Sequence, residues 1–306
     1  MSASAAVAQL VPLLAGRPQT AVGVYVEQPF HAHVAAREVA LRRTQWLPEP
    51  DRVPRFDLDV AALDDALDPV VEAVARAGIA KARFDRVLCN EELVAFGRPF
   101  GNVMVINTSP DLRDQVQGPH VFNLRHEHAL TTGEYSLALI SQNHLTMHSE
   151  VCVRSAPDQP RYIALLCLEP SPRDTGGQTV FVAMDEVVAR LTPEQAQVLR
   201  QAHFRDFPDS PPLLSWRAGR PVFSFRDFGS ELLWWRYVGE RALADGEFNR
   251  AIRALLAAIY DADLWFGIEW HAGEVLVFDN WRFFHGRTLI QSQTANRRHF
   301  KNIKIN

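Results

Sequence analysis

At Gly101 the periodicity of this 306-residue chain changes, and that change restricts the available folds more than any other feature. Beyond it come short runs rich in Val, Ile, Phe and Trp, at 102–107, 161–169, 178–183, 222–226, 264–270, 274–278 and 298–305. β-Branched and aromatic side chains suit a pleated, half-buried surface, so each run predicts a strand. Before Gly101 the pattern is helical with breaks. Residues 34–43 carry helical spacing and end before a Pro-containing connector at 48–54. Residues 60–77 are Ala/Val/Leu-rich with acids on the other face, kinked or restarted near Pro69, and 86–96 is stopped by Gly97 and Pro99.

Two helices are expected among the strands. One opens at Thr192-Pro193-Glu194-Gln195, where Thr caps, Pro takes the first helical position and Gln reaches back. The other runs from about Glu247 to Tyr260 with apolar residues at helical spacing. Between strands, 207–221 with Pro208, Pro211 and Pro212 reads as a long loop, of the kind that often forms a lid or binding loop. No repeat, low-complexity tract or linker divides the chain. The expectation is one domain, 1–306, mainly β with peripheral helices. It has a mostly helical part at 1–100 and a β core with helical insertions at 101–306.

Charge and composition exclude several functions. The formal net charge is −4 and no basic stripe appears, which argues against nucleic acid as a main partner. Cys89, Cys152 and Cys167 form no CxxC and are too few for a disulfide framework. Reduced, buried thiols in a cytoplasmic protein are the expectation. No apolar run is long enough to span a bilayer. Met1 to Leu14 is apolar, but the first basic residue, Arg17, follows that stretch, so the segment reads as a packed helix and not an export signal. Of the 30 Phe, Trp and Tyr residues, 19 follow residue 200; most suit a core, and their density beside the Pro-rich loop also suits an apolar cavity.

The chemistry concentrates in two segments, Asn143-His144-Leu145-Thr146-Met147-His148-Ser149-Glu150 and Asp279-Asn280-Trp281-Arg282-Phe283-Phe284-His285-Gly286-Arg287. In extended backbone, residues i and i+2 share a face, so His148 and Glu150 present an imidazole and a carboxylate together. His285 from a distant strand completes two histidines and one carboxylate, a set that leaves three octahedral positions open and suits a non-haem Fe(II) oxygenase. Alone, His-x-Glu is a weak signal that more often marks a surface ion pair. Thirteen positions after His285 stands Arg298, whose guanidinium suits bidentate capture of a carboxylate. Gly176-Gly177-Gln178-Thr179 adds a turn and a hydroxyl able to share that carboxylate.

These pieces, in this order, resemble the Fe(II)/2-oxoglutarate dioxygenases of the taurine dioxygenase and clavaminate synthase-like superfamily. The match rests on His148-x-Glu150, the strand from Arg161 to Leu168, Gly177-x-Thr179, Gly273-Glu274-Val275-Leu276-Val277-Phe278-Asp279-Asn280, His285-Gly286-Arg287 and Arg298. It covers roughly residues 95 to 306. The resemblance implies a double-stranded β-helix, or jelly-roll, barrel. It implies His148, Glu150 and His285 as iron ligands and Arg298 as the anchor of the 2-oxoglutarate C5 carboxylate, with Thr179 sharing it and O2 as the second co-substrate. Arg297 is the adjacent alternative; the strand that follows favours Arg298. Glutamate as the acid, where related halogenases carry Gly or Ala, argues against chlorination.

Glutamate also places the chain nearer the clavaminate synthase-like branch, which oxidises free or conjugated amino acids in specialised metabolism. The Gly-Gly-x-Thr turn is closer to the taurine dioxygenase branch. The expected reaction is hydroxylation of an amino acid or amino-acid-derived small molecule, in natural-product biosynthesis. Desaturation or cyclisation is the alternative with the same ligands. A carrier-tethered or peptide substrate is another, favoured by any exposed basic or apolar patch near 207–221. A non-catalytic jelly-roll binding module is the rival of another class. Phe225-Arg226-Asp227 falls where the amino-acid branch carries an Arg-x-Asp-like substrate segment, which makes Arg226 and Asp227 substrate candidates; a surface ion pair is the plainer reading. Two other metal sets are weaker. His126-Glu127-His128 lacks a downstream partner pair, and His144 with His148 lacks the base of an HExxH helix.

Overall fold

The computed structural model describes residues 32–63, 66–108, 110–125, 144–205, 207–227, 235–290 and 297–306. The apolar 1–14 segment and His126-Glu127-His128 lie outside the described residues. Helix α1 (Ala32–Leu41) leads through a connector to β1 (Arg55–Leu58), α2 (Asp68–Ala77), β2 (Ile79–Phe84) and α3 (Asn90–Gly97). Strands β3 (Val116–Gln117), β4 (Val121–Arg125), β5 (Leu145–His148), β6 (Tyr162–Glu169) and β7 (Thr179–Ala183) follow. After α4 (Met184–Ala189) and α5 (Pro193–Leu199) come β8 (Ala202–Phe204), β9 (Leu214–Arg217), β10 (Arg220–Phe223) and β11 (Trp235–Tyr237). Helix α6 (Glu247–Ile259) precedes β12 (Trp265–Gly267), β13 (Glu274–Asp279), β14 (Phe283–Arg287) and β15 (His299–Ile305). Among the described residues no helix is long and apolar enough to cross a membrane.

The architecture is mainly β with helices outside. One sheet has seven strands in the order β1-β2-β13-β6-β15-β4-β3, and the other has four in the order β12-β7-β14-β5. Only the β1–β2 pair in the large sheet is parallel. Central strands are apolar on both faces, as strands covered on both sides must be. Along β13, Val275 and Val277 pack with Val70, Val74, Leu93 and Phe96 from α2 and α3, whereas Leu276 and Phe278 point the other way. There they meet Phe181, Phe266 and Phe283 of the small sheet. The outer face of the small sheet, through Val180, Val182 and Phe284, packs on α4, α5 and α6. Helix α6 supplies Phe248, Ile252, Leu255, Leu256 and Ile259, one stripe at helical spacing.

Several expectations are met and others corrected. The capping box forms as read, with Thr192 Oγ1 accepting from Gln195 N and Gln195 Oε1 accepting from Thr192 N. Of the two readings at Pro69, the restart is the one that forms: a separate helix, α2, begins there with Pro69 in its first turn, where its missing N–H costs nothing. The first hundred residues are not all helical, because β1 and β2 complete the large sheet. The run at 102–107 forms no strand; only Val103 makes a bridge, to Ile305. The 207–221 loop contains β9, which pairs with β10 through a turn at Ala218 and Gly219, both left-handed at φ 49° and 76°.

The site depends on how closely β14 approaches β5. A Cβ on Gly286 would stand 2.7 Å from Leu145 O and 2.8 Å from Met147 Sδ, so only glycine fits between the strands. Gly286→Ala should therefore lower unfolding free energy by about 1–3 kcal/mol, the usual range for overpacking. Urea denaturation checks this.

Candidate metal centre

Strands β5 and β14 run antiparallel with His148 and His285 as register partners. Directly opposite residues share a face, and the two rings lie 4.2 Å apart between centroids. Glu150 follows two residues after His148, returning to the same side. Immediately beyond, Val151 adopts φ 58°, an unfavourable conformation for a β-branched residue, and turns the chain away. Glu150 Oε2 lies 3.4 Å from His148 Nε2 and 3.9 Å from His285 Nε2. One donor atom from each of the three residues falls within 4.8 Å of the others, the only such cluster of three or more among the described residues.

The donor set fits a divalent metal. His148 Nδ1 lies 2.8 Å from Thr146 O, so Nδ1–H donates there and the Nε2 lone pair is left facing Glu150. That Nε2 is buried and makes no hydrogen bond, an expensive state unless another group takes the lone pair. Two imidazoles and one carboxylate are the ligand types of a non-haem iron site. Aromatic rings wall one side of the cluster: Phe278 and Phe181 have ring centroids 4.9 and 6.2 Å from that of His285.

Electrostatics keep His285 and Glu150 ready to bind metal. Burial, and then the neighbouring His148, push the His285 pKa well below the ordinary histidine value despite Glu150. For Glu150, burial opposes ionisation. The ammonium of Lys304, 2.6 Å from Oε1, and then the neighbouring His148 outweigh it and hold the carboxyl well below its usual range.

The predicted carboxylate anchor lies farther along the same faces. Thr179 on β7 pairs with Arg287 on β14, two residues beyond His285 and on its face. Trp270 Nε1 donates to Thr179 Oγ1 at 3.3 Å, and the Trp270 ring stands edge-on to Phe300 at 4.8 Å. Arg298 Cζ lies 4.2 Å from the Phe300 ring centre. Arg298 is buried and Arg297 exposed, in line with the preference for Arg298. Burial lowers the Arg298 pKa to about 10. Burial and the nearby Arg298 charge push Arg287 well below its ordinary value. Arg287 therefore lies close to Arg298, a neighbour with no separate role among the expected site residues.

Arg226 and Asp227 separate. Arg226 bridges to His148, its charge reaches His285, and burial lowers its pKa to about 9. Asp227 is fully buried and committed elsewhere. Its carboxylate accepts from Arg37 Nη1 at 3.1 and 3.2 Å and from Tyr260 OH at 2.7 Å, tying α1 and the end of α6 to β5. Asp227 is thus an anchor between these elements. His144 lies 3.8 Å from Glu38 and takes no part in the metal cluster. An open groove of about 580 Å³ separates Val153, Arg154, Ser155 and Asp158, just after Glu150, from Phe207, Pro208 and Asp209 of the Pro-rich loop.

The sequence matches the taurine catabolism dioxygenase family, TauD and TfdA, over residues 44–303. The chain belongs to that family: it is a dioxygenase dependent on Fe(II) and 2-oxoglutarate. No curated protein matches it. Among solved structures it is similar to the PvcB protein of Pseudomonas aeruginosa, with a TM-score of 0.59 and 16% identity, over 95% of this chain and 94% of that one. It is also similar to asparagine oxygenase (TM-score 0.59, 15% identity, 89% of each chain). The non-haem iron oxygenase OrfP, solved with Fe and α-ketoglutaric acid, gives a TM-score of 0.57 at 18% identity, over 83% of this chain and 94% of that one. At these identities the likeness is one of fold.

Two outcomes are expected. Asp227→Asn leaves Arg37 buried against a neutral amide and should cost about 3 kcal/mol of stability, read by urea denaturation, with the substrate KM unchanged. The folded pKa of His285 lies below its unfolded value, so the unfolded chain gains the proton first. Stability from this group is complete above about pH 6.5 and falls on acidification, by up to ~1.4 kcal/mol per pH unit. His285→Asn should therefore flatten the loss of metal-free stability measured between about pH 7.5 and 5.5.

Proposed function

We propose that this dioxygenase hydroxylates an amino acid or amino-acid-derived small molecule in a specialised biosynthetic route. The observation that carries the proposal is the convergence of His148, Glu150 and His285 in a buried, aromatic-walled cluster of a chain from this family. These three side chains are the metal ligands. Iron bound there supplies oxidation of a substrate C–H bond, coupled to decarboxylation of 2-oxoglutarate to succinate. Arg298 pairs with the distal carboxylate of the co-substrate, and the Thr179 hydroxyl shares it. Arg226, beside His148, holds an anionic group of the substrate, as a carboxylate-bearing amino acid requires. Phe181 and Phe278 exclude water, which strengthens each of these charge contacts.

Two relatives in fold support the substrate class: an asparagine oxygenase solved with 3-hydroxyasparagine and succinate, and an oxygenase from an isonitrile synthetic pathway. The two facing sheets are read as one double-stranded β-helix, and residues 1–306 as a single domain around it. Three free thiols suit a reducing, cytoplasmic setting. A non-catalytic binding module would have no need of a buried cluster with an unpartnered His148 Nε2.

A tethered substrate is the second reading. Trp216 is half exposed beside the turn that separates Arg217 from Arg220, and Phe207 is exposed in the same Pro-rich stretch. Aromatic and cationic groups there suit an acidic carrier domain.

The test is mass spectrometry of an amino-acid panel incubated with the protein, Fe(II), 2-oxoglutarate and O2, offered free and as pantetheine thioesters. Gain of one oxygen on a free amino acid is expected; loss of two hydrogens would indicate desaturation or cyclisation, and turnover of thioesters alone would favour the tethered reading. His148→Ala should abolish 2-oxoglutarate-dependent succinate formation. Unchanged succinate production by that variant would sink the ligand assignment.

A further inference from the structure

Glu150 is held at points that neither imidazole supplies. The side chain of Asn280 brackets its backbone: Oδ1 accepts from Glu150 N at 2.7 Å, while Nδ2 donates to Glu150 O at 3.3 Å and to Pro160 O at 2.9 Å. The two carboxylate oxygens then part company. Oε2 faces His148 and His285, and Oε1 lies 2.6 Å from Lys304 Nζ. Lys304 reaches it from inside the sheet sandwich. On β15, Ile303 and Ile305 pack outward with α2 and α3, whereas Phe300 packs inward, and Lys304 alternates with the isoleucines onto the face of Phe300 and Asn302. An inward lysine is costly unless paired, and Glu150 is its partner here.

We infer that Lys304 is a positioning residue that restricts Glu150 to one coordinating oxygen; the inference rests on Glu150 being the iron carboxylate. The reason is a count of positions. Two imidazoles and one carboxylate oxygen leave three places of an octahedron, two for a chelating 2-oxo acid and one for O2. A carboxylate binding through both oxygens would take one of those three. Holding Oε1 on an ammonium keeps that place open. Asn280 sets where the residue stands, and Lys304 sets which of its oxygens is offered.

The experiment uses the full chain, stripped of metal and titrated with Co(II), with ligand-field absorption recorded with and without 2-oxoglutarate. Lys304→Met should weaken Co(II) binding by about 10- to 100-fold, the range for loss of a partner behind a metal ligand. It should also alter the Co(II) absorption bands, and Lys304→Arg should restore both. Lys304→Gln, which keeps a donor without the charge, is carried in parallel should the methionine variant not fold, and should shift the bands in the same direction. Glu150→Gln is the control for the underlying site. If it weakens Co(II) binding while Lys304→Met and Lys304→Gln match wild type in affinity and bands, the ligand set stands and the role of Lys304 is overturned. Weaker binding with unaltered bands, or no restoration by arginine, overturns it too. Wild-type binding by Glu150→Gln overturns the ligand set itself.

Discussion

The pairing of β5 with β14 is the contact on which the site depends. It sets His148 opposite His285, and it requires Gly286 because any side chain there would run into Leu145 and Met147. Both strands belong to the small sheet, whose outer face is fixed by α4, α5 and α6 and whose inner face meets the large sheet through Phe181 and Phe283. Packing of this density does not deform smoothly, so the separation of the imidazoles is inherited from the whole sandwich. The residues closest to the cluster serve the same end. Met147, between Thr146 and His148, points into the outer core, while Thr146 and Asp227 link β5 to the segment carrying Arg226.

The interior electrostatics run against the net charge of −4. Arg226, Arg287, Arg298 and Lys304 surround a space in which Glu150 is the acid of the metal cluster. Burial depresses the pKa of Arg226 to about 9 and that of Arg298 to about 10, which measures how poorly water solvates them. A buried, positive interior raises the affinity for small anions. The exterior is balanced differently, with exposed pairs such as Arg86–Glu92 and Arg241–Glu247 that contribute little to stability.

What was legible in the sequence follows the distinction between local and distant interactions. Strands β6, β7, β13 and β15 were readable because their apolar runs are strongly patterned, and α5 because its cap is written in four consecutive residues. Strand β2, Ile-Ala-Lys-Ala-Arg-Phe, was not. Its alanines favour no strand, and Lys81 is tolerated inside only because Glu49 and Glu274 from distant segments pair with it. Pro208, Pro211 and Pro212 hid β9, which begins only after them. His148-x-Glu150 was legible because two-residue spacing alone puts both groups on one face. The separation of Arg226 from Asp227 is not written in their order alone: adjacent residues in extended backbone point to opposite faces, and here Arg226 bridges to His148 while Asp227 meets the packing behind it.

That division also explains why the turn between β13 and β14 matters beyond supplying His285. Asp279 Oδ1 accepts from Trp281 N at 2.9 Å and closes the turn, and Asn280, its next residue, reaches across to the backbone of Glu150. Glu150 lies beyond the end of β5, where no ladder hydrogen bond fixes it and Val151 must bend the chain away at a backbone cost. A carboxylate in that position needs support from side chains. Asn280, in the turn between β13 and β14, gives it at the backbone, and Lys304, on β15, at the carboxylate. The two histidines are held by the sheet itself, and the carboxylate is held by a hydrogen-bonded frame that the sequence distributes over more than 150 residues, from Glu150 to Lys304.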